Sequence, residues 1–272
     1  MTQRMIPLIL FVVFPALVFA GGNAETQPTT APVDDGVPAT IRVVEGEHFT
    51  HKLKIMPFIR VPNQPQMAVW CETPDGEFVA TLFLTERLAT QSWRGAPADP
   101  TPTDEIRRPE SLPLWAHRHG EVYADGLRVP TEENPIADAV TSATPKSSFT
   151  VRTQLPAGYE ELIVYFEVNH SADFNEVYRA DDPEDAATYS GGKWGSGQPA
   201  LVYRARLNLA GAGLGPATFE LIGHSSPDGN SGGIRDDLST ITTARGIVER
   251  VEITVGAGAE ADRKESVARR PE

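Results

Sequence analysis

The chain has 272 residues, with 24 basic and 37 acidic side chains and a formal net charge of −13. This charge disfavours nucleic-acid binding, because phosphates need clusters of Lys and Arg, and it argues against docking on anionic lipid. The single cysteine, Cys71, excludes an intramolecular disulfide. Its position between Trp70 and Glu72 in an apolar segment predicts a small buried side chain and not a nucleophile.

The N-terminal segment predicts export. Arg4 precedes an apolar run from Ile6 to Phe19, and a small residue, Ala20, follows it. We predict a secretory signal peptide over residues 1–20, a periplasmic or secreted protein, and no membrane insertion after cleavage; an uncleaved anchor is the alternative. Residues 21–37 are polar and rich in Pro and Thr, and residues 257–272 are highly charged, so both predict disorder.

Residues 38–256 predict one all-β domain, an antiparallel two-sheet β-sandwich of the Ig-like kind. Short runs rich in Val, Ile, Thr, Tyr and Phe alternate with turns among 23 prolines and 23 glycines. A short helical turn is expected between Arg107 and Ala116. The predicted strands are Thr40–Val44, Phe49–Ile55, Gln66–Glu72, Phe78–Thr85, Phe149–Gln154, Leu162–Asn169, Ala200–Leu209, Thr218–Ile222 and Val248–Val255.

Three segments occur in an order that resembles a known family: MAVWCETPDGEFVATLFLT, LPLWAHRH and DAVTSATPKSSFTVRTQLPAGYEELIVYFEVN. The set resembles the bacterial predicted periplasmic family called domain of unknown function 2271, over roughly residues 66–203, with residues 204–256 as an extension. The resemblance implies an exported β-sandwich without an established activity. Because members are often encoded beside flavin transferases and membrane redox proteins, it also implies a protein partner such as a membrane redox complex.

The segment DAVTSAT also resembles the attachment motif of FMN-carrying domains, in which a transferase joins a threonine hydroxyl to the phosphate of FMN. This resemblance implies covalent FMN on Thr144, with Asp138, Thr141 and Ser142 completing the motif. Pro145 departs from the usual continuation of the motif. The alternative is an ordinary loop, in which the side chains of Asp138 and Thr141 bond to backbone groups before the next strand.

A calcium loop is a second candidate site. Asp228, Asn230 and Asp236 follow the spacing of a D-x-N-x-x-G-x-x-D loop, in which oxygen ligands converge and Gly233 permits the sharp turn. The twelfth position carries Ser239 in place of the usual bidentate glutamate. The alternative is a glycine-rich surface loop whose own Asp and Asn side chains cap its backbone.

Other candidate motifs are incomplete. His117 and His119 can be metal ligands if they share one strand face, and are otherwise part of an exposed loop. GHSSP and GNSGG imitate hydrolase nucleophile motifs, but no complete catalytic constellation accompanies them. We therefore predict an exported, non-enzymatic binding or accessory protein that serves an extracytoplasmic redox system. The alternative is an electron-transfer protein that carries FMN on Thr144.

Overall fold

The computed structural model describes residues 36–56, 58–90, 93, 106–131, 133–136, 141–142, 144–210 and 215–256. The predicted signal peptide, the predicted tail and all but the last two residues of the predicted leader lie outside the described residues. Within the described part, neither α-helix is long and apolar enough to cross a lipid bilayer.

Strands are the main regular secondary structure of the described residues. In chain order they are β1 (Val37–Glu45), β2 (His51–Met56), β3 (Ile59–Asn63), β4 (Gln66–Glu72), β5 (Phe78–Thr85), β6 (Thr141–Ser142), β7 (Phe149–Leu155), β8 (Glu161–Asn169), β9 (Leu201–Asn208), β10 (Ala217–Thr218), β11 (Glu220–His224) and β12 (Val248–Val255). Two short α-helices, α1 (Glu86–Thr90) and α2 (Pro113–His119), lie between β5 and β6.

The predicted two-sheet β-sandwich is confirmed. A four-stranded sheet, in the order β10-β12-β1-β7, packs on a six-stranded sheet in the order β11-β9-β8-β4-β5-β6. The pairings are antiparallel except for the short parallel pair β5–β6. Strand β8 shows why the layers form. Leu162, Val164 and Phe166 lie in the core between the sheets, whereas the residues between them along the strand point to the other face of the six-stranded sheet. A separate two-stranded sheet, β2–β3, completes the architecture.

The other face of the six-stranded sheet, which we call the outer face, is partly covered by a third layer. Helices α1 and α2 and nearby loops bury a second apolar cluster that includes Trp70, Leu84, Trp115 and Val202. The helical turn expected between Arg107 and Ala116 is present but lies later, as α2. Gly120 follows the last residue of this helix and caps it, with a φ of 82° that is easily adopted only by glycine.

One predicted strand is divided in the structure. The segment Thr218–Ile222 was expected to be a single strand, but it pivots at the buried Phe219 and changes sheets. Ala217 and Thr218 pair with β12 in the four-stranded sheet, whereas β11 pairs with β9 in the six-stranded sheet. The crossing closes one edge of the sandwich and brings the start of β11 beside the outer face.

Candidate functional site

Four residues lie directly opposite one another across the outer face, and we call them the cross-strand row: Trp70, Tyr165, Arg204 and Glu220. Register pairs Trp70 of β4 with Tyr165 of β8, Tyr165 with Arg204 of β9, and Arg204 with Glu220 of β11. Directly opposed side chains on one face are near neighbours. Sheet register therefore aligns an aromatic pair, a cation and an anion in one line.

The aromatic end of the row is rigid. Trp70 is fully buried, and the Tyr165 ring stacks on it with 5.2 Å between ring centroids and an interplanar angle of 13°. Trp70 Nε1 donates a hydrogen bond to Glu72 Oε1 at 2.8 Å. This bond satisfies the buried indole N–H and fixes the plane on which Tyr165 lies.

A buried carboxylate connects the row to α2. Glu72 is 1% exposed, and its Oε2 lies 3.6 Å from Arg118 Nη1 in the last turn of that helix. A buried carboxylate needs charge compensation or hydrogen bonds, and the Arg118 cation and the Trp70 N–H supply both. The negative charge of Glu72 in turn acts on the neighbouring tyrosine.

The hydroxyl of Tyr165 remains protonated well above neutral pH. Burial, followed by the charge of Glu72, raises the pKa of Tyr165, although Arg118 and a hydrogen bond from Arg204 partly oppose this shift. The neutral hydroxyl lies on the same face as Arg204, its partner in the register, and keeps its own proton. It can therefore donate that proton to a ligand on the outer face.

A cavity of about 510 Å³ opens on the row. Tyr165, Arg204 and Glu220 line it, together with apolar side chains and a second arginine, Arg206, whose guanidinium pairs with Glu161. Among the described residues, no carboxylate lies within 4 Å of the Arg204 guanidinium. The remaining lining residues are Pro74, Ile163, Ala205, Ala217 and Thr218. The lining is mainly polar, with a smaller apolar part, and it brings several polar groups together in one concave region.

The third layer is held in place by a second buried carboxylate. Glu167 of β8 is fully buried, and its two oxygens accept hydrogen bonds from the backbone N–H groups of Leu114 and Trp115 at 3.1 and 2.8 Å. These N–H groups belong to the first turn of α2, where no earlier carbonyl is available to them. Burial raises the pKa of Glu167 to about 7, against these hydrogen bonds and one from Ser225. The carboxylate thus docks α2 onto the sheet.

The predicted FMN site is only partly described. Thr144 is half-buried and lies two residues after the end of β6, and β6 pairs with the end of β5 at the edge of the six-stranded sheet. Backbone positions are described for Thr141 and Ser142, whereas Asp138 lies outside the described residues. Farther along the same loop, Ser148 Oγ accepts a hydrogen bond from Glu45 N at 3.0 Å and ties the loop to β1. Attachment of FMN to Thr144 remains a prediction.

The predicted calcium ligands make hydrogen bonds within their own loop. Asp228 Oδ1 accepts bonds from the Ser226 hydroxyl and the Asn230 N–H, and Oδ2 accepts one from Asn230 Nδ2 at 2.9 Å. Burial opposes the ionisation of Asp228, but these bonds outweigh it and lower its pKa. Asp236 is exposed. Calcium binding remains a prediction, and the hydrogen bonds observed are those of the self-capped loop that is its alternative.

The histidine pair lies on α2, not on a strand or in a loop. At a spacing of two residues on a helix, His117 and His119 do not share a face. His117 Nε2 donates to the Gly229 carbonyl at 3.1 Å, whereas His119 stacks on Trp115. Among the residues that the structure describes, no group of three or more His, Cys, Asp or Glu side chains is placed to hold a metal ion.

The row residues were not singled out by sequence reasoning. Their alignment depends on the register of four strands, and β8 and β9 are far from β4 in sequence. A usable signal for the buried carboxylates was nevertheless present, because Glu72 and Glu167 are acidic residues that directly follow apolar runs within their strands. Such charges are rarely buried without a partner. Cys71, by contrast, is buried as predicted, and burial raises the pKa of its thiol to about 12.

Comparison with known proteins adds no assignment: no protein-family model matches the chain, and neither the curated proteins nor the solved structures include a match.

Proposed function

We propose that this chain is an exported, non-enzymatic binding module whose ligand site is the cavity on the cross-strand row. The observation that carries the proposal is the position of Arg204 between the Tyr165 hydroxyl and Glu220, on the open part of an otherwise covered sheet face. The site supplies hydrogen-bond donors and a smaller apolar area, but its described lining residues include no nucleophile paired with a general base.

The chemistry of the site favours a small organic ligand with a carboxylate or phosphate group beside a flat or apolar portion. A guanidinium recognises such anions through paired N–H donors. Tyr165, Pro74 and Ile163 provide the adjoining apolar surface. The resemblance to a periplasmic family encoded beside redox proteins supports the further proposal that ligand binding serves an extracytoplasmic redox system through a protein partner.

A thermal-shift screen tests the ligand class. We expect members of a panel of aromatic carboxylates and phosphates to raise the melting temperature of the wild-type protein. Arg204→Gln should weaken binding by roughly 10-fold or more, since a charge-assisted hydrogen bond contributes about 1.5–3 kcal/mol.

Arg250→Gln is the matched control. Arg250 is an exposed arginine on the four-stranded sheet, paired with Glu252 at 3.2 Å and away from the cavity. This variant loses the same charge and should keep wild-type affinity. Equal losses in both variants, or stabilisation by neutral sugars alone, would contradict an anion site at Arg204.

A second candidate function is electron transfer by FMN bound covalently to Thr144. The supporting observation is that Thr144 is not fully buried and lies two residues after the edge strand β6, so a transferase can reach its hydroxyl if the surrounding loop admits it. Co-expression with a flavin transferase should add the mass of one FMN moiety and the visible flavin absorbance. Thr144→Ala should abolish both, whereas Ser147→Ala should not; an unchanged mass in the wild type would exclude this function.

A further inference from the structure

The β2–β3 hairpin stands apart from the sandwich. It forms its own two-stranded sheet, and residues 58–62 are all exposed. Its base is held by a few contacts: the His51 and His170 rings lie 5.7 Å apart, and Asn63 Nδ2 donates to the Ser171 carbonyl at 3.4 Å. The base is thus fixed to the body, whereas the far end of β3 faces solvent.

The far end carries an unusual amount of exposed apolar surface. Phe58, in the turn, is 98% exposed, and Ile59 and Val61 of β3 are 48% and 40% exposed. These are three of the six large apolar side chains found exposed in the described part of the chain, and they occur within four consecutive residues. Scattered exposed apolar residues need no explanation, but a contiguous set at a projecting tip indicates a contact surface.

The hairpin also has the opposite charge to the rest of the chain. No acidic residue occurs between Glu47 and Glu72, whereas Lys52, Lys54 and Arg60 all do. The whole chain has 24 basic and 37 acidic residues, so the chain without these three cations has 21 basic and 37 acidic residues, a formal charge of −16. The hairpin is therefore a cationic element on an acidic body.

The two strands separate the apolar and cationic side chains. Leu53 pairs directly with Val61, and Lys52 pairs with Pro62, one position along each strand. Because side chains alternate across a strand, Leu53, Ile59 and Val61 share one face, and Lys52 and Arg60 share the other. A ribbon with one apolar and one cationic face can lie in the interface of an anionic bilayer, because long Lys and Arg side chains on the opposite face extend to the level of the headgroups.

We propose that the β2–β3 hairpin docks on an anionic membrane surface, with Phe58, Ile59 and Val61 entering the interface and the cations contacting lipid headgroups. The net charge of the chain argued against such docking, but it is an average over the molecule. Six residues of extended strand reach roughly 20 Å, more than two Debye lengths of about 8 Å at physiological salt. Repulsion between the acidic body and the lipid is therefore largely screened when the tip makes contact.

Flotation of the full chain with vesicles tests the proposal. Vesicles of phosphatidylcholine and phosphatidylglycerol in equal parts should bind the protein at physiological salt, where the acidic body is screened, and pure phosphatidylcholine should bind it much less. Phe58→Ala should weaken binding by about 10-fold or more. Lys52→Gln with Arg60→Gln should weaken it by roughly 25-fold, at about fivefold per cation.

Matched variants separate the hairpin from general effects. Tyr159→Ala removes an exposed aromatic side chain elsewhere, and Lys146→Gln with Arg250→Gln changes the net charge equally; both should bind like wild type. No binding to the anionic vesicles at physiological salt, or equal losses in these controls, overturns the proposal. Sedimentation tests the alternative that the hairpin binds a second copy of the chain. Self-association that Phe58→Ala abolishes, without vesicle binding, identifies a protein interface and overturns the membrane proposal.

Discussion

The inner face of the six-stranded sheet packs apolar side chains against the four-stranded sheet, whereas the outer face holds two buried carboxylates, an aromatic stack and an arginine beside a cavity. Both faces come from the same strands, and alternate residues of β8 belong to one or the other. The inner face needs only apolar side chains of suitable size. The outer face needs particular partners for each polar group, and those partners come from distant segments.

The largest expected effect on the free energy of unfolding comes from a substitution in the inner face. Phe166 is fully buried between the sheets, and its ring lies 5.7 Å from that of Tyr203. Phe166→Ala should lower the free energy of unfolding by about 3–5 kcal/mol, because it removes buried apolar area and leaves a cavity. Urea denaturation measures this change. A loss below about 1 kcal/mol would mean that the sheets do not share a packed core.

A smaller, pH-dependent effect is expected on the outer face at Glu167. Burial raises its pKa from an ordinary value of 4.5 to about 7, so the folded protein binds the proton more tightly than the unfolded chain. This contribution to stability is full below pH 4.5 and is lost as the pH rises to about 7. Its total is at most about 3 kcal/mol, at 1.36 kcal/mol per pKa unit.

Glu167→Gln isolates this contribution. Glutamine does not titrate, so the unfolding free energy of the wild type minus that of the variant should fall between pH 4.5 and pH 7. Burial lowers the pKa of His170 to about 4, which acts with the opposite sign, because its contribution is lost as the pH falls. The difference between the two proteins removes that background. A difference that does not change with pH would show that folding does not raise the pKa of Glu167.

The contrast between the faces also explains what the sequence could predict. The bounds of β4, β5 and β12 were predicted without error, since apolar runs bounded by turn residues, and the alternation at the end of β12, are local signals. Strand β3 was missed, because Pro62 and the exposed side chains obscure its pattern. Helix α1 has five residues, too few for a helical period to be recognised.

The candidate site could not be predicted in the same way. Tyr165 and Arg204 look like ordinary outward positions of two strands, and only the β8–β9 register places them opposite each other. The division of the segment Thr218–Ile222 between two sheets, which brings Glu220 to the row, is a tertiary effect. Register is set by the buried face and by turn geometry over the whole sheet, not by the residues at the site.

The smallest stability effect is expected at the row itself, and it gives the sharpest test of the contrast. Tyr165→Phe keeps the ring that stacks on Trp70 and removes only the hydroxyl, on the face that Arg204 shares. Because Arg204 is exposed, water can solvate it in the variant, and the unfolding free energy should change by less than about 1 kcal/mol. Ligand affinity should nevertheless fall about 5- to 10-fold, because the cavity loses a donor that no water supplies equally well. Calorimetric titration of Tyr165→Phe with a ligand from the thermal-shift panel, beside urea denaturation, measures both quantities. A large loss of stability with unchanged affinity would make the row an extension of the core, with the same structural role as Phe166 on the inner face.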